Sequence, residues 1–343
     1  VAITPEPAIE RGDRYADLVL SNEPNWVLCV RERHHEDREA DNELVAVSTS
    51  GSGEVRVLAT GHDFYSSLRR APVGDKICWL SWDHPNMPWD ECELWVADFD
   101  SASGSVANEQ LVTGGSGVSI VQPEWSPGGT LVFITDESGW WNLAKWADGG
   151  VTAIVTETVD HGGPAWAFAF STYSFSSDGS ILLEDSQGEN GRIRKIGLNG
   201  EVIAETPVPH TSMSEVTVLG DDVIYVGASA ASAAEIVRVT PGTGTVATLK
   251  PSSEIELDPA YLSTPEEITF PSTDNGEAHA FYYSPVNPGF ESDGTEKPPL
   301  LVISHGGPTG ATSPALSLSV QYWTSRGFAV VDVNYRGSTG HGR

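Results

Sequence analysis

The sequence predicts a mainly β chain with an α/β C-terminal part: a β-propeller of at least five blades, followed by the start of an α/β sheet. Three observations carry this. One form of hairpin recurs five times between residues 43 and 250. The recurrence stops at Pro251, where a segment containing Pro and Ser begins. The residues beyond that segment read as hairpin, strand, helix and strand, the opening order of an α/β layer.

Each repeated unit is a short apolar strand, a turn and a second apolar strand. The units are "ELVAVSTSGSGEVRVLATG" from Glu43, "ELWVADFDSASGSVANEQLVTGG" from Glu93, "NLAKWADGGVTAIVTE" from Asn142, "RIRKIGLNGEVIAET" from Arg192 and "EIVRVTPGTGTVATLK" from Glu235. Successive starts lie 50, 49, 50 and 43 residues apart. Most are preceded by further strand signals, such as "KICWLSWD" from Lys76 and "TLVFITDE" from Thr130. The turns "SPGGT" and "SSDGS" place Gly where positive φ is needed. Four short strands at such a period describe propeller blades rather than a sandwich. The expected blades are 13–60, 64–115, 118–156, 165–208 and 211–250, so the propeller occupies 1–250. The chain opens on "VAITPEPAIE" without Met. The expectation is therefore a larger ring lacking its first blades, a closed five-bladed ring being the alternative.

Residues 251–265 read as a linker and 266–343 as the α/β part. "EEITF" (Glu266–Phe270) and "HAFYYSP" (His279–Pro285) form a hairpin around "STDNGE". After a surface loop, "LLVISHG" reads as a buried strand. Ser313-Pro314 resembles an N-cap followed by Pro at the first helical position. "ALSLSVQYWTSR" has helical spacing, and Gly327 stands where a helix-ending glycine belongs. "FAVVDVNYRG" reads as a second buried strand.

Composition narrows the partners. The net charge is -29, from 48 acidic and 19 basic residues. That disfavours nucleic acid and anionic membrane surfaces, which need clustered Lys and Arg. It favours a self-repelling surface, or attraction of cationic ligands such as the free amine of a peptide. A hydrophobic content of 39% with 11 Trp supports a large core. Cys29, Cys78 and Cys92 form no CxxC pair, which suits thiols of a reducing compartment and a cytoplasmic location. No apolar run approaches the ~18 residues of a membrane span. "RERHHEDREAD" (Arg31–Asp41) offers His34, His35, Glu36 and Asp37. Neighbours on a strand point to opposite faces, so a solvated loop is expected, with no metal and no cofactor.

The chemistry-bearing motif is His305-Gly306-Gly307-Pro308. Glycines after a strand let backbone N–H groups approach a developing oxyanion. "LLVISHGGPTG", a helix, and "GFAVVDVNYRGSTGHGR" together resemble the opening of the peptidase domain of the prolyl oligopeptidase family, in its acylaminoacyl-peptidase and dipeptidyl-aminopeptidase branch. "WLSWDHPNMPWDECELWVADF" and "EWSPGGTLVFITDESGWWNLAKW" resemble propeller blades of that branch. The resemblance covers nearly the whole chain. It implies a propeller gating an α/β-hydrolase domain, and a serine peptidase acting on short peptides of aminoacyl, dipeptidyl or acylaminoacyl type.

Carried over residue by residue, the resemblance makes Gly306 and Gly307 the oxyanion-loop candidates and puts Tyr335 beside the site. In "DESGWWNL", Glu137 is a candidate for holding a peptide's amino terminus. His305 is expected to shape its loop rather than act as a base. The triad does not carry over. A nucleophile elbow needs G-x-S-x-G, and no serine here has that setting; "GGSGV" from Gly114 fails at its fifth position. The expectation is a fragment, cut at both ends and inactive alone. The alternatives are a non-catalytic propeller that binds partners beside a vestigial hydrolase segment, and a carboxylesterase. The oligomeric state is left open.

Overall fold

The computed structural model describes residues 2–343 except 187–190, 256, 274, 275 and 308. The chain divides into two compact units, Val1–Phe170 and Ser171–Arg343. The first unit holds three four-stranded antiparallel meanders. They are β1 (Asp13–Leu20), β2 (Trp26–Arg33), β3 (Asp41–Ser48) and β4 (Val55–Ala59); β5 (Phe64–Arg70), β6 (Lys76–Trp82), β7 (Glu93–Asp100) and β8 (Ser105–Gly114); and β9 (Ile120–Trp125), β10 (Leu131–Thr135), β11 (Asn142–Ala147) and β12 (Gly150–Ala153).

Burial explains why these strands read as continuous apolar runs. Along β6, Ile77, Cys78, Trp79 and Leu80 are all buried. Successive side chains leave opposite faces of a strand. Ile77 and Trp79 join Leu28, Leu44 and Leu58 of the preceding sheet. Cys78 and Leu80 join Ile120, Leu131 and Phe133 of the next one. A middle sheet covered on both faces shows no polar alternation.

The first strands of successive sheets lie side by side. One ion network ties them. Arg69 of β5 donates from Nη1 to Asp17 Oδ1 of β1 at 3.0 Å and from Nε to Glu124 Oε1 of β9 at 2.7 Å. Burial opposes the Arg69 charge, but the two carboxylates outweigh it and hold the guanidinium above its ordinary range. Each of these strands also carries a bulge whose extra residue turns left-handed: Asp17 at φ 54°, Ser67 at φ 55° and Gln122 at φ 49°. The bulge increases local twist at a cost of about 1–2 kcal/mol for a residue with a Cβ.

The second unit holds two further antiparallel meanders: β13 (Tyr173–Phe175), β14 (Ile181–Asp185), β15 (Gly191–Ile196) and β16 (Val202–Val208), then β17 (Ser212–Leu219), β18 (Asp222–Ala228), β19 (Glu235–Thr240) and β20 (Thr245–Pro251). Leu182, Ile193 and Val208 of one meet Val223, Tyr225, Val237 and Val239 of the other. The left-handed bulge recurs in β17, at Glu215 with φ 57°. The "SPGGT" and "SSDGS" turns close alike, with Gly129 N–H donating to Ser126 O and Gly179 N–H to Ser176 O, both at 2.9 Å. Serial four-stranded meanders packed face to face are consistent with a β-propeller.

The sixth sheet differs. It comprises β21 (Pro265–Pro271), β22 (Glu277–Tyr283), β23 (Leu300–Ser304) and, after the helix α1 (Leu318–Thr324), β24 (Ala329–Asn334), in the order β21-β22-β24-β23. β21 and β22 form the expected hairpin, although residues 274 and 275 of its turn lie outside the described residues. β23 and β24 pair in parallel.

Three expectations are corrected. β23 is not a buried strand: it is the edge of its sheet, with Leu300, Val302 and Ile303 exposed and only Leu301 packed against the Val320–Val330 cluster. The helix begins at Leu318 rather than after Ser313, because Thr312 and Leu316 spend their backbone N–H groups on Asn334 Oδ1 and Ser229 O, outside any helical turn. The strands of the fourth expected blade do not start at residue 165. Trp166 N–H turns back to Pro164 O and Ala169 sits at φ 64°, so β13 begins at Tyr173.

One half-buried carboxyl gives the fold a pH dependence. Burial pushes Glu184 of β14 up to about 7, with the Ser186 hydroxyl opposing and the Asp185 charge adding. A raised carboxyl favours the protonated form in the fold. Its contribution is complete below the ordinary carboxylate range and is lost as pH rises through about 7. Glu184→Gln is therefore expected to leave stability near that of the parent at pH ~5 and to exceed it by up to about 3 kcal/mol at pH ~8.5. Denaturant unfolding at both pH values checks this; an equal effect at the two would contradict it.

Candidate functional site

The parallel register sets the geometry. Leu300 pairs with Ala329 and Ser304 with Val333, so both strands reach their C-terminal ends together. Each then runs into a glycine loop, "HGGPTG" after β23 and "YRGSTGHG" after β24. Crevices at the C-terminal ends of parallel strands are where open α/β sheets bind ligands.

His305 joins the two loops. Its ring stacks on Tyr335, with centroids 4.4 Å apart and planes 19° from parallel. Its Nδ1 lies 2.7 Å from Gly306 O and its Nε2 lies 2.7 Å from Ser338 Oγ. A carbonyl only accepts, so Nδ1 carries the proton and Nε2 accepts from the Ser338 hydroxyl. The Tyr335 hydroxyl stands 3.4 Å from Nδ1. Ser338 and Asn334 are both buried. Asn334 Oδ1 accepts the Thr312 N–H at 2.8 Å, and Asp332 Oδ2 accepts the Thr312 hydroxyl at 2.5 Å. Thr339 N–H donates to Gly310 O at 2.9 Å. The loops are thus tied at three points.

The glycines are divided in their work. Gly307 sits at φ 144°, and a Cβ there would lie 2.8 Å from Thr309 N. Gly306 has no positive φ and open space where a Cβ would stand. Among the described residues, neither N–H has a hydrogen-bond acceptor. Pro308 lies outside the described residues. Two exposed N–H groups at the end of a strand can bind an anionic oxygen.

Gly306, Gly307 and Tyr335 therefore come together around His305. Glu137 belongs to the other compact unit, exposed in the turn between β10 and β11, where its N–H donates to Thr135 Oγ1 at 3.4 Å. Ser338, Asn334, Thr312 and Asp332 do not stand out from the sequence. For Asp332, Asn334 and Ser338 the signal is the density of hydrogen-bonding side chains among glycines in "DVNYRGSTG"; Thr312 lies outside that stretch. Ser338 and His305 have the spacing of a nucleophile and base. The Ser338 oxygen is buried, however, and Nδ1 is turned to a carbonyl rather than to a carboxylate, so the pair fastens the loops. His34 and His35 bond different carboxylates, Glu32 and Asp41. Among the described residues no group of three or more His, Cys, Asp or Glu is placed to hold a metal ion.

No family model matches the chain. Dipeptidyl aminopeptidase BIII of Pseudoxanthomonas mexicana is 33% identical over 128 residues, which is 36% of this chain and 18% of that protein. A puromycin-hydrolyzing peptidase of Mycobacterium tuberculosis superposes with a TM-score of 0.91 at 32% identity, over 99% of this chain and 54% of that one. Prolyl oligopeptidase B from Galerina marginata superposes with a TM-score of 0.74 over 97% of this chain and 47% of that one; at 12% identity this likeness concerns the fold alone. The chain spans about half the length of these solved relatives.

The two glycines can be told apart experimentally. Gly307→Ala is expected to lower stability by about 1–3 kcal/mol, the cost of forcing a side chain into left-handed backbone. Gly306→Ala is expected to stay within about 0.5 kcal/mol of the parent. Thermal or denaturant unfolding of both variants decides; equal losses would show that the two positions carry the same backbone constraint.

Proposed function

We propose that the chain, similar to a dipeptidyl aminopeptidase and to a puromycin-hydrolyzing peptidase, is part of a serine-type peptidase of the prolyl oligopeptidase family hydrolysing short peptides, of aminopeptidase, dipeptidyl- or acylaminoacyl-peptidase type. The observation that carries this reading is the pair of N–H groups at Gly306 and Gly307, exposed at the C-terminal end of a parallel strand pair. In an acyl transfer these donors would face the carbonyl oxygen as it gains charge, and Tyr335 would stand beside it. One such donor is worth about 10²–10³ in kcat. His305, held by Ser338 and Tyr335, fixes the loop that presents them.

In this reading residues 1–250 are propeller, 251–265 linker and 266–343 the start of an α/β-hydrolase domain. The parallel β23–α1–β24 unit supports the last assignment. The propeller would limit access to short peptides, with Glu137 a candidate for the substrate's amino group. The acidic surface suits a cationic peptide and disfavours nucleic acid. The three buried, unpaired cysteines suit a cytoplasmic setting. Residues 1–343 contain no G-x-S-x-G, and the described residues of the loops hold no exposed Ser–His pair, so this stretch alone is proposed to be inactive.

The test compares residues 1–343 with the product of the gene's complete reading frame. Both are treated with a fluorophosphonate and with aminoacyl, dipeptidyl and acylaminoacyl chromogenic substrates. The complete product is expected to label on one serine and to hydrolyse at least one substrate class, and 1–343 to do neither. Stoichiometric labelling of 1–343, or a complete product inert towards every substrate, would overturn the proposal.

A further inference from the structure

The irregular segment between β12 and β13 crosses a cavity of about 260 Å³ inside the first unit. Trp82, Met87, Trp89, Trp166, Phe168 and Phe170 supply its apolar walls. Trp166 and Phe168 are 57% and 47% exposed, so this ring surface is left in water. Clustered exposed aromatic surface beside a concavity marks a binding site more often than a packing defect. The segment is anchored rather than loose. His161 is buried, with its N–H on Trp141 O at 2.8 Å and Nε2 2.9 Å from Glu157. Gly162 packs so closely that a Cβ would lie 2.9 Å from Ile134. Trp166 is seated against Trp89, with ring centroids 4.3 Å apart and planes 45° apart.

The floor specifies the ligand further. It is made by Ser66, Ser67, Arg69 and Gln122 of β5 and β9. The Arg69 guanidinium is already matched by Asp17 and Glu124, so it offers no free charge for a carboxylate. Among the described residues, no carboxylate lines the cavity to hold an ammonium. The volume lies below the roughly 300–1,000 Å³ of sites for drug-sized molecules and suits one side chain. Left-handed Ser67 and Gln122 place the two bulges at this floor. "PAWAFAF" (164–170) puts its aromatic residues at alternate positions, separated by alanines small enough to leave the rings accessible.

We propose that the cavity beneath residues 164–170 is a binding site for one neutral planar ring, the side chain of a phenylalanine, tyrosine or tryptophan in a short peptide. The choice of a peptide rests on the peptidase reading; the choice of a ring rests on the cavity.

Direct binding to residues 1–343 keeps the two apart, because it requires no catalysis. Isothermal titration is carried out with Gly-Phe-amide, Gly-Trp-amide, Gly-Ala-amide and butylamine. The aromatic amides are expected to bind at least tenfold more tightly than the alanine amide and butylamine. Trp166→Ala and Phe168→Ala, both at exposed positions, are expected to abolish most of that preference. Val73→Ala, exposed in the same unit but outside the cavity, should bind as the parent does. Equal affinity for ring-bearing and ring-free ligands, or an unchanged preference in both aromatic variants, would overturn the proposal. Failure of the complete product to hydrolyse peptides would leave a measured ring preference standing and remove only the peptidase reading.

Discussion

The parallel pairing of β23 with β24 is the constraint on which the candidate site depends. Had the two strands run in opposite directions, their outgoing loops would leave from opposite ends of the sheet. Because they run together and in register, His305 and Tyr335 emerge as neighbours and their rings stack. Everything else at the site depends on that adjacency. Ser338 reaches His305, Asn334 reaches Thr312, and Gly306 and Gly307 stay exposed beside them. The pairing needs a crossover, and α1 supplies it, with Val320 packed beside Val330 and Tyr283.

The four-stranded meanders obey a different rule. The β5–β8 sheet buries both faces, one in the core of the sheet before it and one in the core of the sheet after it. Arg69 shows the electrostatic side of that arrangement. One guanidinium on β5 satisfies carboxylates on β1 and β9, so three successive sheets share one ion network. Removing one partner of a buried network leaves an uncompensated charge, which costs more than the intact network contributes. The same strands carry the left-handed bulges, so the network and the extra twist occur together.

How much of this the sequence shows depends on whether the cause is local. Two-faced burial is local: Ile77–Leu80 and Leu131–Ile134 are uninterrupted apolar runs, and the repeated hairpins fall on the last two strands of successive four-stranded sheets. The bulges are not legible. Their left-handed residues are Asp17, Ser67, Gln122 and Glu215, with no glycine to mark the position. "LLVIS" reads as buried because apolarity alone does not distinguish a central strand from an edge. At the site, both glycine loops stand out in the sequence. Their junction does not, since His305 and Ser338 lie 33 residues apart and meet only through the strand register.

The site stands or falls on whether His305 already fastens the two loops in residues 1–343. Nitrogen NMR of the His305 imidazole tests this most directly. A proton on Nδ1 and an unprotonated Nε2 that accepts from Ser338 are expected, with the Nε2 signal shifting in Ser338→Ala. A ring protonated on Nε2, or one exchanging freely between both tautomers and indifferent to Ser338→Ala, would contradict it.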